Sequence, residues 1–146
     1  MKKSPPGLLV VTHGRLADEM ENAARRIVGE VPQLAAISLD WDDDVADARR
    51  RIEEGIAKVA VEGRVLILTD MFGGTPSNVA LSLLEPGRVD VVTGVNLPML
   101  IKFANLHAVD GFDETVRRIA QQGRDAIQVA SEVLEKRVGP EDTAGR

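Results

Sequence analysis

The sequence predicts an α/β fold: an open, doubly wound, mainly parallel sheet with helices on both faces. Three observations carry this expectation. Short runs rich in Val, Leu and Ile alternate along the chain with longer segments whose apolar residues recur at helical spacing. The first of these runs, GLLVVT (7–12), is continuously apolar and β-branched, as a strand covered on both faces is. The length of 146 residues, with 44% hydrophobic and 28% charged content, suits one domain with a single core. That core must be aliphatic, because the only aromatics are Trp41, Phe72, Phe103 and Phe112.

The elements follow in order. GLLVVT (7–12) is the first strand. Residues 15–29 place Leu16, Met20, Ala23, Ala24, Ile27 and Val28 on one helical stripe, and Gly29 stops the helix. LAAISLD (34–40) is a second, weaker strand. The segment 41–63 reads as a helix with an apolar stripe at Val45, Ala48, Ile52, Ile56 and Val59. Its acidic front, Asp42 to Asp44, suits a helix N-terminus, where the dipole favours anions. VLILT (65–69) is the third and clearest strand. A helix from about Pro76 to Leu84 follows, with Thr75 as N-cap and Pro76 at its first position. RVDVVTG (88–94) is the fourth strand, NLPMLIKFANL a short helix, and the segment 112–137 a longer helical stretch interrupted at Gly123. The domain is expected to occupy 1–138, with 139–146 a disordered tail. Right-handed crossovers, with strand two on one side of strand one and strands three and four on the other, give the order 2-1-3-4.

Composition excludes several function classes. A net charge of −5 argues against a nucleic-acid partner, and the triplet Arg49-Arg50-Arg51 sits among acidic residues as a solvated helix face. With no cysteine there are neither disulfides nor thiolate metal sites. The apolar run GLLVV near the N-terminus is too short for a membrane span or the core of a signal peptide. No membrane insertion and a cytoplasmic location are therefore expected, and no metal or cofactor.

Ligands of open α/β sheets bind outside the carboxyl ends of the strands, where the strand order reverses. Here that point lies between strands one and three, so Thr12-His13-Gly14 and Asp70-Met71-Phe72-Gly73-Gly74-Thr75-Pro76-Ser77-Asn78 meet there. The second stretch is a glycine-rich turn without the lysine of a GxxxxGK[ST] loop, so a phosphoryl group held there needs another source of chemistry. His13 has the attributes of one. A neutral imidazole attacks phosphorus near pH 7 and forms a labile, transferable P–N bond. Asp70 stands where a carboxylate would orient that ring. Gly73 and Gly74 let backbone N–H groups approach phosphoryl oxygens, at the positive end of a helix dipole. Each residue also has a plainer reading. His13 alone is a polar loop residue, Asp70 an Asx turn, the glycines a tight turn, and Thr75-Pro76 an ordinary helix start. His107, in a loop after the short helix, reads as structural.

THG (12–14), DMFGGTPSN (70–78) and GVNLPML (94–100) resemble the three motifs of mannose-family enzyme IIA domains of the bacterial phosphoenolpyruvate-dependent sugar phosphotransferase system, in the same order over roughly residues 7–130. The resemblance implies that His13 accepts a phosphoryl group from the phosphocarrier HPr on Nε2, with Nδ1–H turned toward Asp70, and passes it to a IIB partner. It implies phosphoryl contacts at Gly73, Gly74 and Thr75, and a rim that includes Thr12, Gly14, Phe72 and Asn96. It also implies a homodimer in which a C-terminal edge strand, around 125–130, is exchanged between subunits, although that segment reads equally well as helix. Phe72 stands where the family has a Trp or Pro, which bears on docking. Met71, Phe72 and Leu97 to Met99 read either as exposed docking surface or as buried loop support. No IIB segment follows, so a separate IIB component is expected.

Other readings remain. A regulatory protein whose His13 phosphorylation state controls a binding partner would have the same site and no transport. A phosphocarrier subunit of a dihydroxyacetone kinase would show SHS rather than THG. A receiver domain would show an acidic pair after strand one, where this chain has His13, and a lysine after the last strand.

Overall fold

The computed structural model describes residues 2–144. Its elements are β1 (Gly7–His13), α1 (Leu16–Val28), β2 (Leu34–Leu39), α2 (Val45–Val59), β3 (Val65–Thr69), α3 (Gly74–Leu81), β4 (Val89–Thr93), α4 (Leu97–Ala104), α5 (Phe112–Asp125) and α6 (Ala130–Ala144). The four strands are parallel and lie in the order β2-β1-β3-β4, as predicted. β1 and β3 are central because their residues are apolar on both faces. Leu8, Val10, Leu66 and Leu68 meet residues of α1, α4 and α5, while Leu9, Val11, Val65 and Ile67 meet residues of α2 and α3. All eight are fully buried, and each such side chain contributes about 1.5–3 kcal/mol of transfer free energy.

The helices depart from the predicted stripes in instructive ways. In α1 Ala17 and Ala24 are buried and Met20 and Val28 of the predicted stripe pack partly buried against the same core, whereas Leu16 and Ile27 are exposed. α2 starts at Val45 rather than at 41, because the Asp44 side chain accepts a hydrogen bond from the Ala46 N–H at 2.9 Å and caps it. That leaves Trp41 in the loop after β2, and Val45 exposed.

α3 begins at Gly74 with Gly73 as its N-cap, two residues before the predicted start, so Thr75 and Pro76 are its second and third residues. α5 runs through Gly123 without interruption. A Cβ there would lie 2.7 Å from Met99 Sδ, so this glycine allows close packing of α5 on α4 and does not break the helix. Residues 127–129 form no strand, and the sheet has four strands among the described residues. The backbone of 139–144, expected as a disordered tail on account of Gly139 and Pro140, continues α6. Residues 145–146 lie outside the described residues.

Candidate functional site

Parallel register brings the site together. Val11 pairs with Thr69 across β1 and β3, so the next residues of the two strand ends, Thr12-His13 and Asp70, emerge side by side. Asp70 is bound to His13 twice through one oxygen. Its Oδ2 accepts from the His13 backbone N–H at 3.0 Å and lies 2.8 Å from Nδ1 of the ring. A carboxylate oxygen only accepts, so Nδ1 carries the hydrogen, and in the neutral ring Nε2 keeps its lone pair. The other oxygen, Oδ1, accepts from the Met71 N–H at 3.1 Å. Asp70 therefore holds the ring at Nδ1, while its bond to the next residue's N–H falls one residue short of the Asx turn that the sequence also allowed. Both side chains are largely covered, with 20% and 15% of their surface exposed.

Nε2 faces the start of α3. A Cβ on Gly74 would lie 2.7 Å from His13 Nε2 and 2.9 Å from Cε1, and Gly74 has φ of +81°. Glycine is required there both for backbone conformation and for room beside the ring. Gly73 is differently employed. Its N–H donates to Ser77 Oγ at 2.7 Å, so it is not free for a ligand. The N–H groups of Gly74 and Thr75 occupy the first two positions of α3, where a helix has no internal acceptor for them, and Pro76 has no N–H to offer. The arrangement presents a lone pair on Nε2 beside two backbone donors at a helix N-terminus, which is a geometry for receiving an anionic phosphoryl group.

The rim residues separate into different roles. Thr12 is wholly buried, and its Oγ1 accepts from the Ala17 N–H at 2.7 Å, holding the start of α1. It is therefore not on an accessible rim. Gly14 makes the turn after β1, with its N–H donating to Leu39 O at 2.8 Å. Asn96 turns its amide to Gly123 O at 3.0 Å and joins α4 to α5. Phe72 is 72% exposed and Met71 56%, so these two supply accessible apolar surface beside the site, whereas Met99 is buried. His107 is exposed in the loop after α4.

Two residues escaped the sequence reading. Ser77 is buried and fixes the Gly73 turn. Trp41 stacks on His13, with ring centroids 5.1 Å apart and planes at 23°. A signal for it existed. Leu39 is the β2 partner of His13, so a residue two positions later leaves the same edge of the sheet.

Comparison with known proteins adds the following. The model of a family described as PTS system fructose IIA component (EIIA-man) matches residues 7–120. The PTS system fructose-specific EIIA component of Bacillus subtilis (strain 168) is 28% identical over 130 residues, 88% of this chain and 89% of that protein. The PTS system mannose-specific EIIAB component of Escherichia coli (strain K12) is 27% identical over 123 residues, 83% of this chain but 38% of that longer protein. The structure of the mannose/sorbose specific IIA subunit of the phosphotransferase system from Enterococcus faecalis is similar with a TM-score of 0.77 at 31% identity, covering 86% of this chain and 94% of that one. That of the PTS IIA protein associated with the fucose utilization operon from Streptococcus pneumoniae has a TM-score of 0.77 at 26% identity, covering 92% and 99%.

Proposed function

This chain belongs to the family of PTS fructose IIA components, and from that premise we propose that it is a phosphocarrier which takes a phosphoryl group from phospho-HPr on His13 and passes it to a IIB partner for sugar uptake. The observation that carries this reading is the 2.8 Å contact between His13 Nδ1 and Asp70 Oδ2, which turns Nε2 toward the first turn of α3.

In the transfer, the Nε2 lone pair attacks the phosphorus of the donor's phosphohistidine. The donor's P–N bond breaks and its electron pair returns to the donor ring. A P–Nε2 bond forms, while the Nδ1 hydrogen stays on His13 and the Asp70 carboxylate balances the positive charge that the ring acquires. The backbone donors of Gly74 and Thr75, with the Thr75 hydroxyl, receive the phosphoryl oxygens. The onward step is the same displacement with the partner's side chain as nucleophile. Exposed Met71 and Phe72 beside the site supply apolar surface for docking carriers.

The test is intact mass after incubation with enzyme I, HPr and phosphoenolpyruvate at mildly alkaline pH, where phosphohistidine survives. One added phosphoryl group is expected, absent in His13→Ala. A His13→Ala protein that still gains the group would remove His13 from the role.

A further inference from the structure

Trp41 has an unusual placement. It is the only tryptophan of the chain, it is 79% exposed, and its indole lies face to face with the His13 ring at 5.1 Å. Burial does not account for it, since an indole this open gains little from the core. The backbone leading to it is nevertheless anchored. The Gly14 N–H to Leu39 O bond of 2.8 Å ties the end of β1 to the end of β2, two residues before Trp41. Gly14 itself lies under the indole, where a Cβ would stand 3.7 Å from Nε1.

We propose that Trp41 is a positioning residue for the phosphohistidine form of His13, stabilising the charged ring through its π face. This rests on the phosphocarrier reading. When Nε2 bears the phosphoryl group and Nδ1 keeps its hydrogen, the imidazole ring is cationic. When Nε2 carries neither phosphoryl group nor proton, the ring is neutral. A stacked indole attracts a cationic ring more strongly than a neutral one, by the interaction of the charge with the ring quadrupole. Asp70 meets the ring at its Nδ1 edge and Trp41 meets it at one face, so the two act on the same charge from different directions. Trp41 thereby favours the phosphorylated chain over the free one and holds the ring plane as the group arrives and leaves.

The experiment compares the equilibrium between phospho-HPr and this chain, by intact mass, for the wild type and for Trp41→Phe, Trp41→Leu and Trp41→Ala. Leu and Ala are expected to shift the equilibrium toward HPr by about two- to fivefold, the range of an exposed cation–π contact, with Phe restoring most of the wild-type position. An exposed side chain can be removed without loss of fold, and Leu matches bulk without a π face. Equal equilibria for Ala, Leu and the wild type would overturn the proposal while leaving His13 as carrier. A Leu variant equal to Phe, with only Ala shifted, would overturn it as well, since apolar cover would then suffice. A wild type that takes no phosphoryl group removes the carrier reading and this role together. As an independent readout, emission from the single tryptophan is expected to change with the time course of phosphorylation in the wild type and not in His13→Ala. Constant emission during full phosphorylation would show that the indole does not sense the ring.

Discussion

Asp70 serves two segments at once. Its two oxygens accept from the Met71 N–H and from both the backbone and ring of His13. Replacing it with Ala is expected to slow phosphoryl gain by about a hundred- to ten-thousandfold without abolishing it, because the nucleophile remains. Rapid-quench mass measurement checks this, and an unaltered rate would reduce Asp70 to a turn residue. Gly74 gives a sharper test. Gly74→Ala would put a methyl group against Nε2 and should block transfer, whereas Gly87→Ala imposes a similar backbone strain in open space, with φ of +77° and nothing within 4 Å. If both variants transferred phosphate alike, the contact with Nε2 would be without consequence.

At the level of elements, the sequence placed every strand within a residue or so and most helices within a few, because buried parallel strands carry an unbroken apolar signature. The helix details were less legible. A packing glycine in α5 carries no hydrophobic signal of its own, since its meaning lies in how near the neighbouring element comes. Gly123→Ala would drive a methyl group into Met99 and is expected to destabilise the α4–α5 contact by about 1–3 kcal/mol in urea unfolding. Leu68→Ala, in the centre of β3 and wholly buried, should cost about 2–5 kcal/mol by the same measurement. A Gly123→Ala protein as stable as the wild type would mean that α5 shifts freely, which the Asn96 to Gly123 bond argues against.

For the whole molecule, one edge of the sheet is formed by β4, with no neighbouring strand on its outer side among the described residues. Exposed Ile127, Val129 and Leu134 follow α5 toward the C-terminus. Open edges and apolar side chains of this kind are places where proteins pair. A homodimer is the assembly that the motif resemblance implies. Light scattering at micromolar concentration is expected to give twice the chain mass, and a clean monomer would remove the dimer.

The sequence by itself determined the class, the strand order and the pair His13 and Asp70. Short continuous apolar runs bounded by turns suit strands covered on both faces, and neighbouring parallel strands set the carboxyl ends of β1 and β3 beside each other. The tertiary structure alone decided the rest of the site. It assigned Gly74 rather than Gly73 to the space beside Nε2, gave Gly73 to Ser77, withdrew Thr12 into the core and laid Trp41 over the histidine. Those outcomes depend on register and on distances of closest approach between segments far apart in the chain. Local periodicity contains no term for either.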